Sequence, residues 1–262
     1  MFPYFPEPVL WVGPVSFYGS ELLLAAAVLV ALWMILRRAA RFGLRRSLAV
    51  RLYLCMMVCG WACGHLVKLA VYEPGPLVEN LVFAFTHFRG LASFGGIFGG
   101  LLGAIVWIRW TRLPVRTAIQ YIDLFAYTFP FAWIFGRASC ALVHDHPGIP
   151  AANWLAVRFP GGPRYDLGLI EFFYAILLAA LFLFLDRRPR PAGFFFATLM
   201  LLYGPFRHAL DSLHVRTPEF LGTSPDRFFG IVAVALGLAM LLWLKRSTAA
   251  KPALPSNTAY SA

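Results

Sequence analysis

Seven apolar runs, separated by basic or Pro- and Gly-rich connections, organise the chain. They cover residues 15–36, 48–72, 91–109, 117–136, 167–185, 192–211 and 227–244. Each comes close to the roughly 20 residues that an α-helix needs to cross a hydrocarbon layer of about 30 Å. The pattern predicts an all-α integral membrane protein of seven transmembrane helices. It places them in a single membrane domain over 1–246, followed by a flexible cytoplasmic tail over 247–262.

Composition agrees with this reading. The 262 residues are 60% hydrophobic and 13% charged, against about 25% charged in a soluble domain. The net charge of +11 raises nucleic acid as a partner. However, the arginines stand in short clusters between apolar runs, as in "RRAARFGLRR", "RWTRLPVR" and "DRRPRP". Such clusters orient membrane helices, so the partner implied is the lipid bilayer and no nucleic acid is expected. With the amino terminus outside and the carboxyl terminus cytoplasmic, fifteen of the 23 lysines and arginines fall inside and eight outside. That distribution obeys the positive-inside rule. No cleavable signal peptide is expected, because the first segment lacks a basic start and a small-residue cleavage site.

The connections assigned to the outer side are long. Residues 73–90, 138–166 and 212–226 carry Pro, Gly and the anchors Trp154 and Tyr165, and loops over a helical scaffold are where sites usually sit. Charges within or at the ends of membrane helices are costly unless paired or hydrated. The candidates are therefore few: Tyr18 and Glu21, His65 and Lys68, Asp123, Arg137, Glu171, and Arg207, His208 and Asp211. Arg137 and Arg207 stand out, because a guanidinium fork binds phosphate oxygens bidentately. Pairing of Arg137 with Asp123, and of Arg207 with Asp211, is the structural alternative.

Other features have two readings. "SFGGIFGGLLG" sets Gly95, Gly96, Gly99, Gly100 and Gly103 at helical spacing, which suits close helix packing or a groove where a lipid chain meets bare backbone. Cys55, Cys59 and Cys63 form a stripe at i, i+4, i+8, a packing face rather than a thiol metal site. "GRASCALVHDHPG" concentrates Arg137, Cys140, His144, Asp145 and His146 within thirteen residues. An HxH pair can chelate, with His87 and His214 as loose further ligands, but no metal is assigned.

These residues resemble the prolipoprotein diacylglyceryl transferases of bacterial inner membranes. The family signature maps onto Gly136, Arg137, Asp145 in place of a glutamate, and Gly148, with Asp123 and Pro130 upstream. "YGPFRHALD" is similar to its Tyr-Gly-x-x-Arg-x-x-x-Glu motif and gives Tyr203, Gly204, Arg207 and Asp211. "VGPVSFYG" gives Tyr18 and Gly19, "GLASFGG" gives Gly95 and Gly96, and Glu171 opens the fifth helix. The motif histidine is Phe94 here, the signature asparagines are Cys140 and Val143, and "YDLG" replaces a polar cluster.

The resemblance implies transfer of a diacylglyceryl group from phosphatidylglycerol to the lipobox cysteine of a preprolipoprotein. The site would face the periplasm, and no cofactor is needed. It implies Arg137 and Arg207 as phosphate-binding catalytic residues. Tyr18, Gly95, Gly96, Gly148, Glu171, Tyr203 and Asp211 would contact substrate. With Phe94 unable to take a proton, His144 or His146, held by Asp145, becomes the expected base, since imidazole suits proton transfer near neutral pH. A same-fold protein that acts on another lipid, or that binds lipid or lipoprotein without catalysis, is the alternative.

Overall fold

The computed structural model describes residues 1–72, 92–215 and 222–249. They are mostly helical: α1 Gly19–Arg41, α2 Arg46–Val67, α3 Ser93–Thr111, α4 Val115–Val143, α5 Leu167–Leu185, α6 Phe194–Asp211 and α7 Pro225–Ala249. A π-helical turn over Lys68–Tyr72 extends α2. Among the described residues, four stretches are long and apolar enough to cross a membrane, namely Gly19–Arg41, Arg46–Val71, Leu167–Leu185 and Pro225–Ser247. The last helix runs on to Ala249, past the boundary expected at 246. His87, the connection 73–90 and the side chain of Phe94 lie outside the described residues.

The structure is mostly helical, as expected, and two small antiparallel sheets accompany the helices. A hairpin of β1 Val9–Val12 and β2 Val15–Tyr18 precedes α1. A second antiparallel sheet, in the order β3 Pro147–Pro150, β5 Gly162–Asp166, β4 Ala156–Phe159, joins α4 to α5. The segment expected to be a loop from 138 is thus helix to Val143 and sheet beyond. Strands of four or five residues give no signal beside apolar runs of twenty.

α4 links two packed clusters. Trp107, Tyr121, Leu52 and Ile35 fill the first, with α1, α2 and α3 around the first half of α4. Tyr203, Trp133, Phe182 and Phe195 fill the second, with α5, α6 and α7 around the remainder. Asp123 caps α6 from a neighbouring helix: its carboxylate accepts the Phe196 amide at 2.9 Å. It therefore meets one of the orphan N–H groups of that helix start and does not pair with Arg137.

The glycine ridge of α3 belongs to helix packing. A Cβ at Gly95, Gly99 or Gly103 would lie 2.6, 2.2 or 2.5 Å from the carbonyl oxygens of Cys63, Cys59 and Cys55 respectively. The cysteine stripe and the glycine ridge are two halves of one close contact. Gly95 is thus covered by α2. Gly96 is half-buried beside Gly60.

Candidate functional site

Two further glycine crossings bring charge together at one end of the bundle. A Cβ on Gly168 would lie 2.9 Å from the Ala141 amide nitrogen and 3.1 Å from Cys140. The start of α5 therefore passes tightly over the end of α4. One turn along each helix from that contact stand Glu171 and Arg137, and Arg137 Nη1 lies 2.7 Å from Glu171 Oε2. Gly204 and Gly230 form the second crossing, each facing the other's carbonyl oxygen at 2.7 Å. Because α6 and α7 run antiparallel there, Arg207 follows Gly204 by three residues and meets Asp226, which precedes Gly230 by four.

The result is a buried chain of four ionised groups. Glu171 takes Arg137 on Oε2 and Arg207 on Oε1. Arg207 Nη2 donates to both oxygens of Asp226 at 2.9 Å. Arg137 and Arg207 are each 6% exposed and Glu171 1%, so the two positive and two negative charges must neutralise each other. Arg137 spends Nη1 on Glu171, with Cys140 Sγ at 3.9 Å, and lies over the Trp133 ring. Its other N–H donors carry no ion pair among the described residues. The Tyr203 hydroxyl, one turn before Arg207, is buried without a hydrogen-bond partner among the described residues. Such an orphaned group costs stability unless something meets it.

Asp211 does not pair with Arg207. Its Oδ2 receives Arg227 Nε at 2.7 Å, while Oδ1 is buried and unpartnered among the described residues. His214 lies beside it, with its buried Nδ1 also unpartnered among the described residues. Burial pushes the His214 imidazole below its ordinary range, and Asp226 opposes that shift. Asp211, His214 and Asp226 offer ligand atoms within 4.8 Å of one another, yet both carboxylates already answer an arginine.

The two loop histidines part company. His144 ends α4 in the left-handed conformation, φ 56°. Its Nδ1 meets Asp166, the N-cap of α5, and its ring stacks on Tyr4 at 4.6 Å. Burial raises the Asp166 carboxyl above the usual range, and the His144 contact opposes this. Asp145 instead holds His146. Asp145, His146 and Cys140 lie within 4.8 Å of one another, beside Arg137. Asp145 was expected beside either histidine; it contacts His146, while His144 contacts Asp166 instead.

Other expected contacts stand apart from the arginines. Tyr18 is the exposed N-cap of α1, and its amide donates to Glu21 at 3.4 Å. Gly148 lets β3 pass the turn after α6, where a Cβ would lie 2.7 Å from the Leu213 carbonyl. Asp226, Arg227 and Asp166 were not picked out by the sequence. An aspartate opening an otherwise apolar helix was the signal for the first of them.

The fold and site define a polytopic helical membrane protein with a buried arginine–carboxylate centre at one end. The family model for prolipoprotein diacylglyceryl transferase matches residues 8–243, and the chain belongs to that family. Phosphatidylglycerol–prolipoprotein diacylglyceryl transferases from several bacteria align over nearly its whole length. That of Pseudoalteromonas translucida is 27% identical over 97% of this chain and 98% of its own. The Proteus mirabilis protein is 26% identical over 97% of each. The Cronobacter sakazakii protein is 25% identical over 94% of this chain and 95% of its own.

Proposed function

We infer that this protein transfers a diacylglyceryl group from phosphatidylglycerol to the lipobox cysteine of preprolipoproteins. Family membership over 8–243 supports the reaction. The observation that carries the site assignment is the pair of buried guanidiniums sharing Glu171, with the Tyr203 hydroxyl, unpartnered among the described residues, one turn before Arg207.

The cysteine sulfur attacks the glyceryl carbon bound to the phosphate oxygen. A C–S bond forms, the C–O bond breaks, and glycerol 1-phosphate leaves with one more negative charge than it carried as a diester. Arg137, through its unspent N–H donors, and Arg207 stabilise that charge. Glu171 and Asp226 act as positioning residues that hold both forks. The thiol proton must leave as well, since the thiolate is the nucleophile. His146, oriented by Asp145 beside Cys140 and Arg137, takes it. His144 keeps the α4–α5 corner in place. Tyr18, Gly96 and Gly148 line the approach of substrate.

The protein lies in the bacterial inner membrane with seven spans, amino terminus outside, and the arginine centre toward the periplasm. The arginine distribution supports that orientation. Cysteine reporters at exposed Asn153 and Pro189 test it: the first should label from outside and the second should not. Complementation of a bacterium depleted of its own transferase tests the function. Growth and lipidated lipoprotein are expected.

A further inference from the structure

The end of the bundle opposite the arginine pair contains a cavity of about 410 Å³, bounded by the end of α1, the first half of α4 and the α5–α6 connection. Asp186, just past α5, marks this end, fifteen residues or roughly 22 Å of helix from Glu171. We propose that this cavity is a second site, separate from the reaction centre, that takes the phosphate of an anionic glycerophospholipid.

Its lining is cationic. Arg38, Arg41, Arg187, Arg188 and Arg190 face it against Asp123 and Asp186, an excess of three positive charges. Both carboxylates are already engaged. Asp123 caps α6, and Asp186 receives Arg38 at 2.8 and 3.0 Å and Arg41 at 3.0 Å. Arg38 is buried, and its guanidinium lies 3.4 Å from the centre of the Tyr127 ring. One wall is thus fixed in advance, as a binding site requires. Arg187, Arg188 and Arg190 are exposed and have no carboxylate partner among the described residues. Arg190 gives its Nε to the Leu185 carbonyl at 3.1 Å, and the remaining N–H groups of these three guanidiniums are the ones left to meet an anion.

The occupant is a lipid rather than a free anion because the site is amphipathic. A smaller cleft of about 170 Å³ shares Arg38, Arg41 and Asp186 with the cavity and continues to Trp33, Met34 and Tyr127. Trp33 is 53% exposed on α1, a helix apolar enough to span a membrane. A headgroup among the arginines would leave its acyl chains along that apolar face. Basic pockets between helix ends recognise anionic headgroups in this way.

The test uses the full chain in nanodiscs containing photoreactive phosphatidylglycerol or photoreactive phosphatidylcholine, with adducts mapped by mass spectrometry. The anionic probe should label peptides covering 33–42 and 186–192 more than about tenfold above the zwitterionic one. Arg187→Gln/Arg188→Gln/Arg190→Gln changes exposed residues only. It should abolish that preference while adducts near Arg137 and Arg207 persist, which also reports that the variant is folded. Equal labelling by the two probes, or a preference unchanged in the triple variant, overturns the proposal. Displacement of the lipid probe by millimolar inorganic phosphate overturns the lipid assignment in favour of a free-anion site.

Discussion

Arg137 Nη1 lies 2.7 Å from Oε2 of Glu171, and the other oxygen of that carboxylate receives Arg207. One buried acid therefore spaces two guanidiniums contributed by different helices. Replacing Glu171 by Gln keeps the shape but leaves like charges adjacent in a buried site. Breaking such a pair costs roughly 3–5 kcal/mol. Thermal denaturation in detergent should show Glu171→Gln melting well below wild type, with transfer reduced too. An unchanged melting temperature would show that the bridge does not hold the end of the bundle.

Arg207 uses two nitrogens on two different acids, a geometry lysine cannot reproduce. Arg207→Lys should cut transfer about 10²-fold, the typical effect of losing one charged transition-state contact. Initial rates with a lipobox peptide at equal protein level measure it.

The histidines should separate by phenotype. His146→Ala should lower transfer and leave melting nearly unchanged. Its effect should shrink with a more acidic thiol substrate, whose thiolate is already present. His144→Ala removes the contacts with Asp166 and Tyr4 and should chiefly lower the melting temperature. The reverse assignment of the two phenotypes would move the base to His144.

Gly168 sets the approach of α5 to α4. Gly168→Val would push against the Ala141 amide and Cys140, at a cost of about 1–3 kcal/mol. Glu171 would be displaced from Arg137, so transfer should fall by more than the loss of folded protein accounts for. A fall in folded protein alone would mean that the crossing serves packing only.

Burial holds His214 below the ordinary imidazole range. The unfolded chain then binds a proton before the folded one does. Stability attributable to this group is present above about pH 6.5 and is lost as pH falls from there toward the lower folded value. Melting temperatures from pH 8 to pH 5 should fall more steeply for wild type than for His214→Gln. Parallel curves would contradict the assignment.

Long apolar runs made all seven described helices legible, because a span of about twenty residues is a strong pattern. The ends were harder to read. Val143 closes α4 only because His144 adopts a left-handed cap tied to Asp166, a contact 22 residues away. The arginines and Glu171 could be named from motif spacing, but their partners could not. Asp123 and Asp211 were plausible local choices, while Glu171 and Asp226 reach the arginines through glycine crossings between helices. Such crossings depend on which helices are neighbours, and linear spacing does not carry that.

If two arginines held across Glu171 drive diacylglyceryl transfer, formation of both products must depend on them. The most direct measurement incubates the purified chain with phosphatidylglycerol and a lipobox peptide, and follows both products. Wild type should form the diacylglyceryl thioether and glycerol 1-phosphate in equal amounts. Arg137→Ala and Arg207→Ala should each lose at least about 10²-fold in rate. No thioether from well-folded wild type, or full rates from both variants, would contradict the account.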